Sequence, residues 1–147
     1  MKFSIRSVNI SEKKGVQKRP VKKIKLIKGY GIEGDAHAGN WHRQVSFLAF
    51  ESITDMRKRS GELKIGDGDF GENIITEGID WKKIRIGGKI SINGAVLEVT
   101  QIGKKCHSGC AIYDAVGECI MPVEGVFAKV IKEGVISAED SGNYSFG

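Results

Sequence analysis

Cys106 is the residue of this chain whose surroundings are best suited to chemistry. Two cationic residues, Lys104 and Lys105, precede it directly, and His107 follows it. A thiol acts as a nucleophile or a metal ligand in its thiolate form, which nearby cationic groups favour. The flanking glycines let the backbone turn tightly and leave the sulfur accessible. This pattern predicts a reactive or metal-binding thiolate, and the alternative is a small buried hydrophobic residue, as free cysteines commonly are.

The three cysteines also allow a second interpretation. Cys106, Cys110 and Cys119, together with His107, supply three thiolates and one imidazole, which is enough for a tetrahedral zinc site. Their spacing matches no standard zinc or iron–sulfur motif. Three cysteines are too few, and odd in number, for a disulfide framework, so we expect free or ligand-bound thiols in a cytoplasmic protein.

A second group of polar side chains lies in the glycine-rich stretch from Gly29 to Arg43. It contains Asp35, His37 and His42 in addition to the arginine. Backbone N–H groups, histidine and arginine together can bind a phosphate. Two alternatives remain: His37 and His42 could be metal ligands, or Asp35 could cap a turn that leaves the histidines exposed.

A further glycine-rich turn over residues 67–78 contains Asn73, whose amide both donates and accepts hydrogen bonds. Such a side chain suits the edge of a pterin or a nucleotide, and it equally suits the stabilisation of a turn. The carboxylates of this stretch do not have the spacing of a calcium-binding EF-hand loop.

Strands must position most of these residues. The alternating segment over residues 83–101 predicts a β-hairpin, because Asn93-Gly94 is a strong turn signal. We also predict a first strand over 3–10, a basic strand over 20–27, a buried strand over 44–50, a helix over 51–60, a helix or a strand over 125–134 with apolar spacing that favours a helix, a last strand over 134–138 and a polar tail over 140–147. Many short strands and glycine turns predict a mostly β barrel or sandwich in a single domain over 1–147.

Composition and charge narrow the choice of partners. The 147 residues are 40% hydrophobic and 28% charged, and the net charge is +5. No apolar run approaches the length that spans a membrane, so no membrane partner is expected. The basic run between Lys13 and Lys28 could bind an anion or nucleic acid in an oligonucleotide-binding barrel. It contains no interleaved aromatic residues, so a solvated strand face is favoured and nucleic acid is not expected.

Four motifs, in this order, resemble the MOSC domain, which occurs at the C-terminus of molybdenum-cofactor sulfurases and as small stand-alone bacterial proteins. The resemblance extends from about residue 5 to residue 140. The four motifs are Glu33–Gly39 (EGDAHAG), His42–Val45 (HRQV), Gly71–Ile74 (GENI) and Thr100–Cys106 (TQIGKKC).

This resemblance implies a MOSC-like β-barrel with a few short helices and a role that involves the molybdenum cofactor. It implies that Cys106 carries sulfur or contacts molybdenum, and that four other residues bind the pterin and its phosphate: Asp35, His37, Arg43 and Asn73. Lys104 and Lys105 are predicted from their charge to join the same cofactor-binding site. The implied partners are a sulfur-donating desulfurase, or a molybdoenzyme or cofactor-biosynthesis protein. The sequence has no lysine motif for pyridoxal phosphate, so we expect any desulfurase activity to belong to a partner.

Overall fold

A computed structural model describes residues 1–59, 64–103 and 125–146 of the chain. The described residues form eleven strands, one α-helix and one 3-10 helix. These elements are β1 (Lys2–Ile10), β2 (Arg19–Val21), β3 (Lys23–Ile27), β4 (Gly31–Ile32), β5 (Val45–Ala49), α1 (Phe50–Arg59), β6 (Ile74–Glu77), the 3-10 helix (Trp81–Lys83), β7 (Lys89–Ile92), β8 (Ala95–Ile102), β9 (Val126–Lys132), β10 (Gly134–Ser137) and β11 (Ser141–Ser145).

Seven of the strands form a closed β-barrel, which confirms the predicted fold class. They pair in the order β11-β7-β8-β9-β5-β6-β1, and the pairing of β11 with β1 closes the ring. All neighbours are antiparallel except β5 and β6. Alternate side chains of each strand fill the interior, among them Ile5, Phe47 and Leu97. The barrel therefore has a packed core, and chemistry is left to its rim and its loops.

A smaller three-stranded sheet, β10-β3-β4, lies outside this ring. Along β3, Ile24 and Leu26 are buried while Lys23 and Lys25 are exposed. This alternation is the one predicted for the basic strand. The lysines of β3 thus lie on a solvated face.

Helix α1 makes the crossover between the two parallel strands, β5 and β6. Parallel neighbours need such a long connection, whereas antiparallel ones can use a tight turn. Ile53 and Met56, three residues apart as predicted, are the buried side chains of α1. They pack in a second apolar cluster with Leu48, Ile75 and Phe127. No helix in the described part of the chain is long and apolar enough to cross a membrane.

For residues 125–134 the strand alternative is confirmed, and the helix that the apolar spacing favours is not formed. A second prediction, for the end of the chain, is wrong. Residues 126–132 form a strand between β8 and β5, because Val126, Ala128 and Val130 alternate into the core with the period of a strand. Residues 141–145 are also a strand, whereas the sequence predicts a polar tail. Gly142 and Tyr144 are buried in it, and its pairing with β1 and β7 closes the barrel.

Candidate functional site

The segment before β2 and the loop after β4 meet in a buried polar cluster centred on Lys18. The Lys18 Nζ lies 2.7 Å from Asp35 Oδ1, 2.9 Å from His37 Nδ1 and 3.3 Å from Ser11 Oγ. The side chains of Lys18 and Asp35 are both completely buried. This cluster brings together two predicted residues, Asp35 and His37, with a lysine that was not predicted.

Both carboxylate oxygens of Asp35 accept hydrogen bonds from other groups of the protein. In addition to Lys18, its carboxylate accepts hydrogen bonds from the backbone N–H groups of Ser11 (3.1 Å) and His37 (3.2 Å). It therefore fixes the positions of Lys18 and His37. An ammonium only donates hydrogen bonds, so His37 Nδ1 is the acceptor in its contact with Lys18.

The guanidinium of Arg43 lies over two aromatic rings, those of Trp41 and Phe127. Its guanidinium carbon is 4.7 Å from the centre of the Trp41 ring and 5.7 Å from that of Phe127. The Trp41 indole in turn is parallel to the His37 ring and donates to the His37 carbonyl at 2.7 Å. Among the described residues, Arg43 Nε is the buried side-chain nitrogen or oxygen that has no hydrogen-bond partner. A buried unpaired donor of a cationic group is costly, which points to a ligand that accepts from it.

These side chains surround a small cavity of about 70 Å³. Its lining consists of His37, Trp41, Arg43, Ser46, Gly71, Asn73 and Phe127. The cavity has the size of a small anion, and its wall contains a cationic guanidinium and an imidazole. Three of the predicted site residues, His37, Arg43 and Asn73, therefore border one cavity.

The Asn73 amide is already engaged by neighbouring strands. Its Oδ1 accepts from Ser46 N (3.0 Å) and Ser46 Oγ (3.2 Å), and its Nδ2 donates to the Asn9 carbonyl at 3.0 Å. Asn73 therefore joins β1, β5 and the start of β6. These contacts agree with the turn-stabilising interpretation, and cofactor binding by Asn73 stays a prediction.

His42 links the same loop to the end of β8. Its Nε2 lies 2.7 Å from Gln101 Oε1, and its carbonyl accepts from the Thr100 hydroxyl. Gln101 Nε2 donates to the Gly103 carbonyl at 2.7 Å. In the described residues, no three His, Cys, Asp or Glu side chains are arranged to hold a metal ion.

The predicted reactive segment lies outside the described residues. This applies to Lys104, Lys105, Cys106, His107 and Cys110, and also to Cys119. The described chain stops at Gly103 and resumes at Gly125. The N–H of Gly103 donates to the Gly125 carbonyl at 2.7 Å, so the two ends lie side by side. Phe127, two residues further on, lines the cavity. Among the described residues, Gly103 and Gly125 are therefore neighbours, and Phe127 lies close to them in sequence and borders the cavity.

A buried acid stands next to the cavity wall. Glu72 has no exposed surface, and its carboxylate accepts from the backbone N–H groups of Gly68 (3.1 Å) and Phe70 (3.0 Å). Burial, opposed by these hydrogen bonds and reinforced by the charge of Asp67, raises the pKa of Glu72 to about 7.

Sequence reasoning missed Lys18, Trp41 and Ser46 as members of this site. Lys18 stands in a run of basic residues, and nothing local distinguishes a buried lysine from its solvated neighbours. Trp41 lies between two of the quoted motifs, and its position beside two histidines and an arginine was a usable signal. A larger cleft of about 740 Å³ beside α1 and the 3-10 helix contains none of the predicted residues.

These observations define a closed seven-stranded barrel with a small side sheet and a cationic cavity at its rim. The model of the MOSC domain family matches residues 34–141, so the chain belongs to the MOSC domain family. This family is related to the C-terminal domain of molybdenum-cofactor sulfurases. The resemblance found in the four motifs is thereby confirmed.

Comparison with solved structures gives the same fold. The YuaD protein of Bacillus subtilis superposes with a TM-score of 0.82 at 19% identity, over 100% of this chain and 98% of that chain. YiiM of Geobacillus stearothermophilus gives 0.73 at 19% identity, over 98% and 75% of the two chains. YiiM of Escherichia coli gives 0.71 at 19% identity, over 100% and 71%. No curated protein matches the sequence.

Proposed function

We propose that this protein binds the molybdenum cofactor, and carries sulfur to it, through Cys106 and the Arg43 cavity. The observation on which the proposal rests is the buried Arg43 Nε, which lacks a partner among the described residues and borders a cavity of anion size. Membership of the MOSC family supplies the link to molybdenum-cofactor chemistry.

The residues that line the cavity fit the phosphate of the cofactor. Arg43 offers a planar cationic donor, which suits phosphate oxygens. His37 offers an imidazole that is held in place by the contact of its Nδ1 with Lys18. A volume of about 70 Å³ has room for an anionic group and excludes a whole pterin, so only the phosphate is assigned to this cavity.

Cys106 would act as the sulfur-handling residue. Its thiolate attacks the outer sulfur of a donor persulfide, the S–S bond of the donor breaks, and the donor leaves as a thiolate. The product is a persulfide on Cys106, and no external oxidant or reductant is consumed. The cofactor would supply a molybdenum centre, for which a cysteine thiolate is a soft ligand. Lys104 and Lys105 would favour the thiolate, as the sequence predicts.

The test is to purify the protein without oxygen from a host supplied with molybdate and to measure molybdenum, pterin, zinc and iron per chain. We expect pterin and molybdenum in the wild type, loss of molybdenum in Cys106→Ser, and loss of pterin in Arg43→Ala. Arg85→Ala is the matched control, because Arg85 stacks on Phe146 and does not line the cavity.

The other outcomes separate the parts of the proposal. Zinc or iron without pterin would overturn it in favour of the cysteine–histidine metal site. A wild-type protein without pterin or metal would contradict stable cofactor binding. Sulfur carrying would then be tested by incubation with a cysteine desulfurase and cysteine. Its support would be a mass increase of one sulfur atom that is absent in Cys106→Ser.

A further inference from the structure

The indole of Trp41 contacts both Arg43 and His37 in the wall of the small cavity. The centre of its ring lies 4.7 Å from the guanidinium carbon of Arg43, and 6.4 Å from the centre of the His37 ring at an interplanar angle of 14°. An indole has a single polar hydrogen, and that of Trp41 is donated to the His37 carbonyl at 2.7 Å. Trp41 therefore has no hydrogen bond to offer an anion, and any effect on one is exerted through its neighbours.

His37 does not depend on Trp41 alone for its position. Its Nδ1 lies 2.9 Å from the Lys18 ammonium, and its backbone N–H donates to the Asp35 carboxylate at 3.2 Å. These two contacts fix the ring and the backbone of His37 from the side of the buried polar cluster. Loss of the indole N–H would thus leave His37 held by its other partners.

Arg43 is held in a different way. Within the described residues no carboxylate pairs with Arg43, and its guanidinium lies over two ring faces, that of Trp41 and, at 5.7 Å, that of Phe127. A ring face attracts a guanidinium without accepting a full hydrogen bond from it, so the N–H groups stay available to a ligand. The Nε of Arg43 is buried and unpaired, as this arrangement requires.

We propose that Trp41 is a positioning residue for anion binding: its ring fixes the guanidinium of Arg43 beside the cavity before the anion arrives. An arginine side chain has many rotamers, and a ligand that must immobilise them binds less tightly. The ring of Trp41, the nearer of the two, removes that cost in advance. This inference rests on the proposed function, because it names the residue that prepares Arg43 for the phosphate.

The first test reads the position of Arg43 in the ligand-free protein. The Arg43 Nε–H signal is recorded in a proton–nitrogen NMR spectrum and assigned by its loss in Arg43→Lys. A proton over the face of an aromatic ring resonates upfield, so we expect an upfield signal that returns to the ordinary arginine position in Trp41→Leu. Trp41→Phe keeps a ring and should keep an upfield signal. The matched control is Phe146→Leu, which removes the ring beneath Arg85 and should leave the Arg43 signal unmoved.

The second test measures affinity for inorganic phosphate by titration at constant ionic strength. We expect Trp41→Leu to weaken binding about 2- to 10-fold, which is the cost of ordering one arginine side chain. Trp41→Phe should bind to within about twofold of the wild type, because a ring face remains and His37 keeps its contacts with Lys18 and Asp35. Rescue by phenylalanine separates the ring from the N–H, and Phe146→Leu should again match the wild type.

Three results would overturn the inference. One is an Arg43 Nε–H signal at the ordinary arginine position in the wild type, which decides the question even if Trp41→Leu does not fold. The second is a signal that does not move in folded Trp41→Leu. The third is equal affinity for phosphate in the wild type and Trp41→Leu, or no affinity in either.

Failure of this inference is distinct from failure of the proposed function, which is read from the pterin content of the purified protein. A wild type without pterin, in which phosphate binding depends on the Trp41 ring, would refute the cofactor and support this inference. Pterin in the wild type with equal phosphate affinity in Trp41→Leu would support the cofactor and refute the role of Trp41.

Discussion

The Lys18 ammonium and the Asp35 carboxylate lie 2.7 Å apart, and neither side chain has any contact with solvent. Removal of one member of a buried pair leaves an uncompensated charge, which typically costs about 3–5 kcal/mol. We therefore expect Lys18→Met to lower the free energy of unfolding by about that amount in a urea titration.

Lys25→Met is the matched control for this experiment. Lys25 lies 3.9 Å from Glu33, and both side chains are more than half exposed. Pairs of this kind contribute little, so the control should cost less than about 0.5 kcal/mol. Equal costs for the two variants would contradict the structural importance of the buried pair.

Gly68 should tolerate no larger residue. Its φ is +91°, and a Cβ built there would lie 2.3 Å from the Lys18 carbonyl oxygen. We expect Gly68→Ala to lower the free energy of unfolding by about 2–4 kcal/mol, from backbone strain and displacement of Lys18.

Gly71→Ala separates these two causes. Gly71 has a similar φ of +83°, but no atom lies within 4 Å of the point that an added Cβ would occupy. It should therefore show the strain alone, about 1–2 kcal/mol, when both variants are measured by thermal unfolding. A cost at Gly68 no larger than that at Gly71 would refute the steric part of this explanation.

Arg43 should dominate retention of an anionic ligand in the cavity. Hydrogen bonds to a charged group contribute about 1.5–3 kcal/mol, so Arg43→Ala should weaken binding of the cofactor by roughly 10- to 100-fold. Arg43→Lys keeps the charge but loses the planar donor set, so we expect an intermediate affinity. Titration of the cofactor into apoprotein measures the affinity of both variants. An unchanged affinity in Arg43→Ala would mean that the phosphate binds outside this cavity.

Two acids should make opposite contributions to the pH dependence of stability. The pKa of Glu72 is raised to about 7, so its contribution is fully present below about pH 4.5 and declines as pH rises towards 7. The loss amounts to at most about 3 kcal/mol. The pKa of Glu98 is lowered, mainly by its hydrogen bond from Lys89, so its contribution is present at neutral pH and is lost on acidification. Because the Glu72 slope lies between about pH 4.5 and 7 and the Glu98 slope lies below about pH 4.5, unfolding is measured from about pH 2.5 to 8. Glu72→Gln should remove a decline of stability in the upper range and Glu98→Gln a rise of stability in the lower one, and slopes of the same sign would contradict this assignment.

Elements whose residues are adjacent in the chain were predictable from the sequence. The β7–β8 hairpin formed at Asn93 and Gly94, whose φ values of +49° and +87° suit the turn that this pair favours. Helix α1 followed its apolar spacing, although it begins at Phe50. The glycine-rich loop was predictable as a source of site residues, because His37 and Arg43 border one cavity and Asp35 holds His37 in place.

Features that depend on distant partners were not predictable. Lys18 is buried because Asp35, 17 residues further on, meets it, whereas the lysines of β3 remain solvated. Strand β11 is polar along most of its length, which is typical of a tail. Its backbone pairs with β1 and β7, a relationship that no local pattern in residues 141–145 contains.

The closure of the barrel by its first and last strands has consequences for the order of folding and for circular permutation. Lys2 pairs with Asn143, and the Met1 amino group donates to the Tyr144 carbonyl at 2.9 Å. On the ribosome, β1 must therefore wait for β11 to emerge before the ring can form, which favours late and comparatively slow folding. The same proximity makes the chain a good subject for circular permutation. A short linker between the two ends, with new termini opened at the exposed Asn93-Gly94 turn, should leave every strand pairing of the barrel in place.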